Sequence, residues 1–170
     1  MADAKRKHSP LYYLAGAVWA AALVLLDWRI KQLVVEQLKG SSARSLIPGV
    51  LSREYVENRG MAFGLLQDSR VFFVVVTVLV LIALLAVYRA IPEKKRFRPL
   101  SAGVVLIFAG AVGNLIDRVR NGYVVDYFRL DFIRFPVFNL ADCYLTWTAA
   151  ALAVLLIFYY KNEDLQEIRI

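Results

Sequence analysis

The stretch Val71–Tyr88, VFFVVVTVLVLIALLAVY, contains no charged residue and decides the fold of this 170-residue chain. A helix needs about 20 mostly apolar residues to cross the ~30 Å hydrocarbon core of a bilayer, and the stretch lacks the two-residue polar alternation of a strand. Three further apolar runs lie at Leu11–Leu26, Pro99–Ile116 and Cys143–Tyr160. A soluble protein of this length would have little chain left to cover four such helices. The sequence therefore predicts an all-α polytopic membrane protein, a single membrane domain over residues 1–170 with four transmembrane helices at about 11–33, 70–91, 99–120 and 139–160.

The first apolar run also fits a secretory signal peptide, because Lys5, Arg6 and Lys7 precede it. However, the run is longer than the apolar core of a typical signal peptide, and no small-residue cleavage site follows it. We therefore interpret it as the first transmembrane helix.

The basic residues predict the orientation of the chain. A net charge of +7 is compatible with nucleic-acid binding. However, ten of the 21 Lys and Arg residues lie in the short segments 1–10, 89–98 and 161–170, and the others are spread over about twice that length. Because short cytoplasmic loops are enriched in Lys and Arg, we predict that both termini and the loop at about 92–98 are cytoplasmic. Topology then explains the charge, and no nucleic-acid partner is predicted.

The two remaining segments, at about 34–69 and 121–138, are predicted to be extracytoplasmic. Ile47-Pro48-Gly49-Val50 is a turn signal, and the residues of Leu51–Asn58 that follow it are typical of a short strand or hairpin. Asn121-Gly122 is a second turn signal before an apolar stretch suited to an extended conformation. We therefore expect a small, partly β cap on the outer side of the four helices.

Polar residues at the outer ends of the helices are the candidates for function, because ionisable groups at membrane depth are costly and are functional candidates by default. They form five groups: Asp27 with Lys31, Asn58, Asn114 with Asp117 and Arg118, Asp126, and Asn139 with Asp142.

Several of these groups also have a structural explanation. Asn139 with Asp142 three residues later matches a capping box at the start of the fourth helix. Asp27 and Lys31 are spaced as an i,i+4 pair at a helix end. Both roles are compatible with the sequence, and capping does not exclude chemistry.

The third helix offers a comparable structural role. Asp117 is three residues from Asn114 and adjacent to Arg118, so these residues are expected to form an internally satisfied polar cluster that joins helices 3 and 1, in which Arg118 compensates Asp117. Asp126 differs, because it lies among Val and aromatic residues with no adjacent base and no cap position to fill.

Other chemistries fit the sequence less well. His8 is the only histidine, so no His-based triad or zinc cluster is available on the outer side. Cys143 has no histidine to activate it, and no glycine-rich phosphate-binding motif occurs. We predict no metal and no cofactor. Two carboxylates that share a proton can activate water for attack on an amide. A proton-coupled carrier and a non-catalytic assembly subunit remain alternatives.

Five motifs in order across the four helices resemble those of bacterial lipoprotein signal peptidase, also called type II signal peptidase. They are Asp27-x-x-x-Lys31, Asn58-x-Gly60-x-Ala62-Phe63, Gly113-Asn114-Leu115-Ile116-Asp117-Arg118, Val124-Val125-Asp126-Tyr127 and Phe138-Asn139-Leu140-Ala141-Asp142. The resemblance covers about residues 11–160.

The resemblance implies an aspartyl endopeptidase of the bacterial inner membrane, with its active site toward the extracytoplasmic face. Such an enzyme removes the signal peptide from a prolipoprotein, cutting on the amino side of a cysteine that carries diacylglycerol. Membrane lipids are the other implied partners, and a monomer is expected. The family's two catalytic aspartates correspond to Asp126 and Asp142. The residues that line or support the site correspond to Asn58, Gly60, Asn114, Asp117, Arg118, Asn139, Asp27 and Lys31.

Three residues depart from the pattern of the family. Trp28 replaces the usual Gln after the first aspartate, Tyr127 stands where Phe is common, and Cys143 stands where Ser is common. None of these changes removes a carboxylate, so activity is still expected.

Overall fold

The computed structural model describes residues 8–60 and 70–168 of the chain. Lys5, Arg6 and Lys7, and the Ala62-Phe63 part of the second motif, lie outside these residues. In chain order the elements are α1 (Pro10–Leu38), β1 (Arg44–Ile47), β2 (Leu51–Asn58), α2 (Arg70–Ala90), a 3-10 turn (Lys95–Phe97), α3 (Arg98–Asn121), β3 (Val124–Leu130), α4 (Leu140–Val154), which continues as a π-helical turn (Leu155–Tyr159), and α5 (Asn162–Glu167).

Four of the helical segments are long and apolar enough to cross a membrane: Pro10–Leu38, Arg70–Ala90, Lys95–Asn121 and Leu140–Tyr159. α3 is the central helix. Half of the residues in its most apolar stretch are buried, whereas none are buried in the corresponding stretch of α2. α2 instead exposes apolar side chains such as Val71 and Leu79. Such exposure is favourable in contact with lipid and unfavourable in contact with water. The predicted fold class, four transmembrane helices with a small β cap, is confirmed.

α1 continues to Leu38, beyond the predicted bound at residue 33. Its last turn packs Val34 and Leu38 against Val125 and Tyr127 of β3, and burial of these apolar side chains favours continuation of the helix. Asp27 and Lys31 therefore lie inside the bundle, each only 1% exposed, rather than at a helix end. The prediction of a helix-end pair is wrong in its location, although the pair itself forms.

The cap is an antiparallel sheet in the order β1-β2-β3. The predicted hairpin is present: β1 and β2 are joined through a turn in which Gly49 has a φ of 72°, a conformation that glycine adopts without steric cost. β3 begins after Gly122, which ends α3 with a φ of 82°. In the pairing of β2 with β3, Val56 lies opposite Asp126 and Asn58 opposite Val124. The sheet therefore brings Asn58 to Asp126 across a long stretch of sequence.

Two glycines of α3 allow α1 and α4 to approach closely at the outer end of the bundle. A Cβ on Gly110 would lie 2.6 Å from the Ala141 carbonyl oxygen, and one on Gly113 would lie 2.7 Å from Asp27 Oδ2. Real Cβ atoms essentially never approach another heavy atom so closely, and at Gly110 the obstacle is backbone, which cannot move aside as a flexible side chain can. The close approach brings the polar groups of α1, α3 and α4 within hydrogen-bonding distance.

Candidate active site

Asp126 lies at the centre of a buried polar cluster and is itself 1% exposed. Asn58 Nδ2 donates a hydrogen bond to Asp126 Oδ2 at 2.8 Å, and Asn139 Nδ2 donates to Oδ1 at 2.7 Å. Both partners come from other elements, β2 and the start of α4. No local partner for Asp126 is evident in the sequence, and the partners that the structure supplies are distant in the chain.

Burial of the carboxylate, and secondarily the negative charge of Asp142, raises the pKa of Asp126 to about 7. The hydrogen bonds from Asn58 and Asn139 act in the opposite direction but are weaker. Perturbed carboxyl pKa values of this kind are typical of acid–base sites. Asp126 therefore exchanges its proton near neutral pH.

Asp142 occupies position N3 of α4 and forms the predicted capping box with Asn139. The Asn139 side chain accepts from the Asp142 backbone N–H at 2.9 Å, and Asp142 Oδ2 accepts from the Asn139 backbone N–H at 3.1 Å. Its other oxygen, Oδ1, accepts from Asn114 Nδ2 at 2.8 Å. The helix dipole stabilises negative charge at this position. The capping residue and the candidate catalytic residue are thus the same aspartate.

The three asparagines are oriented by groups that can only donate. Gly60 N–H donates to Asn58 Oδ1, the Asp142 backbone N–H donates to Asn139 Oδ1, and the ammonium of Lys31 donates to Asn114 Oδ1. Because each amide oxygen is occupied by a donor, each NH2 group is directed at a carboxylate. Asn139 also donates to Asn114 Oδ1 at 3.1 Å, which links the two aspartates through their asparagines.

Lys31 forms the buried base of the cluster. Its Nζ lies 2.8 Å from Asp27 Oδ2 and 3.0 Å from Asp117 Oδ2. Asp117 Oδ2 also accepts from the Val125 backbone N–H at 3.2 Å, which anchors the start of β3 on α3. Three charges in contact, with further hydrogen bonds, are the arrangement that low-dielectric burial requires.

The partner of Asp117 is therefore Lys31 of α1, and the expectation that Arg118 compensates Asp117 is wrong. Consecutive residues of a helix point about 100° apart, so they do not face each other. Arg118 forms no ion pair within the described ranges 8–60 and 70–168. Its guanidinium lies 4.9 Å from the centre of the Phe73 ring of α2 and interacts electrostatically with Asp142, with Asp126 and, least of the three, with Asp117.

The structure joins all the candidate residues named from the sequence except Arg118 in one network of hydrogen bonds and ion pairs. Two supporting contacts were not predicted. The Tyr127 hydroxyl accepts from the Leu140 N–H at 3.2 Å, and Asp27 Oδ1 accepts from the Ala141 N–H at 3.0 Å. Each satisfies an N–H of the first turn of α4, which otherwise has no intrahelical partner. No sequence signal identifies these contacts, because both join segments far apart in the chain.

The arrangement is suited to acid–base chemistry on a buried substrate. One carboxyl group exchanges a proton near neutral pH, and a half-buried second carboxylate is stabilised at a helix N-terminus. Asn139 donates a hydrogen bond to each of the two carboxyl groups. The Lys31 ammonium donates to Asn114, which in turn donates to Asp142. Two carboxyl groups in different environments are the usual basis for assigning an acid and a base.

Comparison with known proteins gives a consistent result. The family described as Signal peptidase (SPase) II matches residues 19–158. A lipoprotein signal peptidase of Streptococcus pneumoniae is 42% identical over 147 residues, covering 86% of this chain and 93% of the relative. One of Streptococcus thermophilus is 41% identical over 143 residues, covering 84% and 90%. A solved bacterial membrane enzyme superposes with a TM-score of 0.75 at 32% identity, covering 84% of this chain and 87% of that one.

Proposed function

The chain belongs to the signal peptidase II family of proteases, and we propose that it is an aspartyl endopeptidase of the bacterial inner membrane that processes diacylglyceryl-modified prolipoproteins. It cuts on the amino side of the lipidated cysteine and so removes the signal peptide. The observation that carries the proposal is the hydrogen-bonded link from Asp126 through Asn139 and Asn114 to Asp142.

In the proposed mechanism Asp142 is the base and Asp126 the acid. Asp142 takes a proton from a water molecule whose oxygen attacks the scissile carbonyl carbon, while Asp126 gives its proton to the carbonyl oxygen. In the second step the C–N bond breaks, Asp142 returns its proton to the leaving nitrogen, and Asp126 recovers a proton from the hydroxyl group of the intermediate. The cycle regenerates both groups and consumes one water. The elevated pKa of Asp126 supports its role as the acid.

A mobility-shift assay tests the proposed substrate. The purified protein in detergent is incubated with a model prolipoprotein that carries diacylglyceryl-cysteine, and with the same chain bearing serine in place of that cysteine. We expect release of the signal peptide from the lipidated substrate alone. Equal cleavage of both chains would contradict the specificity for the lipidated cysteine, and cleavage of neither would contradict the activity.

The rate should fall as the pH rises above about 7, because the acid must be protonated and burial places the pKa of Asp126 near that value. We expect kcat/KM to decrease by about tenfold per pH unit between roughly pH 8 and 9. The melting temperature measured over the same range controls for unfolding. A kcat/KM that stays constant to pH 9 would contradict the assignment of Asp126 as the acid.

Both termini and the loop between α2 and α3 are proposed to be cytoplasmic, with the carboxylates at the opposite face. In a Cys143→Ser background, a cysteine at Ser42 should react with an impermeant maleimide in spheroplasts, whereas one at Lys95 should react only after lysis. Both positions are exposed, so accessibility does not bias the result. The reverse labelling pattern would overturn the orientation and place the carboxylates on the wrong side.

One chain supplies both carboxylates and all their described hydrogen-bond partners. We therefore propose that the protein acts as a monomer, with its lipidated substrate and the surrounding membrane lipids as its partners.

A further inference from the structure

A groove of about 830 Å³ lies at the end of the bundle opposite the carboxylates, between the first turns of α1 and α3 and the last turn of α2. Its walls are mostly apolar, formed by Leu11, Ala15, Trp19 and Leu23 of α1 and by Val105 and Leu106 of α3. Leu11 and Leu23 are just over three helical turns apart, about 18 Å, close to the ~15 Å thickness of one hydrocarbon leaflet. The groove therefore has the length and the surface of a site for one acyl chain.

The mouth of the groove carries unpaired positive charge. Glu93 is already occupied, since its two oxygens accept from the backbone N–H and the hydroxyl of Ser9. Lys94 is paired with Glu167. Lys95 and Arg98 also line the groove, are exposed, and have no carboxylate partner within the part of the chain that the structure describes. Among the residues that the structure describes, Lys95 and Arg98 are thus two cations without a carboxylate partner at the mouth of the groove.

The start of α3 adds to this charge. The helix begins at Arg98, its N-cap residue Phe97 provides no side-chain acceptor, and its first turn contains no acidic residue. No carboxylate of this turn therefore offsets the positive end of the helix dipole beside the two cations. Ser101, which also lines the groove, interacts through its hydroxyl with the Tyr12 hydroxyl at 3.0 Å, so the wall at this level is held in place by protein contacts.

These features select one kind of occupant. The n-region of a signal peptide is basic, so Lys95 and Arg98 repel it. A zwitterionic lipid brings its own cation next to them. An anionic phospholipid matches both parts, with its phosphate at the cations and a chain against the apolar wall, and such lipids are enriched in the cytoplasmic leaflet.

We propose that this groove binds one anionic phospholipid, held by Lys95 and Arg98 at its headgroup and by the wall from Leu11 to Leu23 along one acyl chain. The site is separate from the carboxylates and does not depend on the proposed protease mechanism. Its placement in the cytoplasmic leaflet rests on the proposed orientation.

Trp19 in the wall of the groove provides a direct readout, once the other two tryptophans are removed as Trp28→Phe and Trp147→Phe. The protein is placed in zwitterionic nanodiscs that contain increasing fractions of phosphatidylglycerol or phosphatidylcholine brominated along one acyl chain. We expect phosphatidylglycerol to quench Trp19 at a mole fraction about tenfold lower than phosphatidylcholine, because each basic side chain strengthens binding to an anionic headgroup several-fold. Equal quenching by the two lipids would overturn the proposal.

A matched pair of variants distinguishes a specific lipid site from general electrostatic attraction of anionic lipids to this end of the protein. Lys95→Gln with Arg98→Gln should abolish the preference. Arg89→Gln with Lys161→Gln removes the same charge from exposed positions at the same end, outside the groove, and should keep it. Loss of the preference in both variants, or in neither, would contradict a specific site. All four substitutions are at exposed positions, and melting temperatures confirm that each variant is folded.

Two competitors test the identity of the occupant. Glycerol phosphate at millimolar concentration should leave the quenching unchanged, because it lacks the chain that fills the groove. A synthetic signal peptide with a basic n-region should likewise leave it unchanged. Displacement by glycerol phosphate would reveal a phosphate site without a lipid, displacement by the peptide would reveal a peptide groove, and either would overturn the proposal. None of these readouts requires proteolysis, so a failure here is distinct from a failure of the proposed activity.

Discussion

Replacement of Asp126 by Asn, or of Asp142 by Asn, should each lower the rate of prolipoprotein cleavage by about a thousandfold or more. Each substitution keeps the size of the side chain and removes the group that exchanges a proton. Asp126→Asn loses one of the two hydrogen bonds from Asn58 and Asn139, because an amide has a single acceptor oxygen, but it also relieves the burial of a carboxyl group next to Asp142. We therefore expect a small change in melting temperature and in substrate affinity. Cleavage rate, melting temperature and affinity are measured on the purified proteins.

Asp131→Asn is the matched control for this experiment. Asp131 lies just after β3 and interacts with Ser52 and Arg129 rather than with the buried cluster. The same substitution there should leave the cleavage rate of the folded protein within about twofold, since Asp131 makes no contact with either candidate carboxylate and an amide keeps one acceptor oxygen for its partners. An Asp126→Asn protein that cleaves at nearly the wild-type rate would contradict the mechanism and make Asp117 the next candidate partner of Asp142.

Replacement of Lys31 by Met should lower the free energy of unfolding by about 3–5 kcal/mol, because it leaves two buried carboxylates without their shared cation. Asp27 and Asp117 both contact Lys31 and are almost fully buried. The substitution also releases Asn114 Oδ1 from its donor, so the amide that faces Asp142 loses its fixed orientation. Unfolding in mixed micelles of a mild detergent and SDS measures the stability, and cleavage by the remaining folded fraction measures the second effect.

Lys39→Met on the same helix serves as the control. Lys39 pairs with Glu57 at 3.2 Å, but its side chain is 53% exposed, and such pairs contribute about 1 kcal/mol or less. A Lys31→Met protein no less stable than Lys39→Met would mean that the buried cluster does not depend on its cation. Asp117→Asn should also be destabilising, because it removes one of the two buried carboxylates that contact the Lys31 ammonium.

At the site, contacts between residues close in the sequence were predictable, and contacts between distant residues were not. The capping box of Asn139 with Asp142 was predictable, because it is formed by residues three apart at a helix start. The partner of Asp117 was not, because adjacency in a helix suggests Arg118 while the packing of α1 on α3 supplies Lys31. Asp126 was recognisable as a candidate by the lack of any local structural role, yet its two amide donors come from residues 68 and 13 positions away.

The sequence by itself determined the four membrane spans, the turns of the cap and the start of α4. These features depend on the transfer of contiguous apolar residues into lipid and on local backbone preferences, so they can be derived from neighbouring residues alone. Only the tertiary structure decided which charged residues form ion pairs and how the asparagine side chains are oriented. Those features depend on the close approach of helices at Gly110 and Gly113 and on the register of β2 with β3. A buried charge takes whichever partner the packing brings within reach, because leaving it unpaired in a low-dielectric interior costs several kcal/mol.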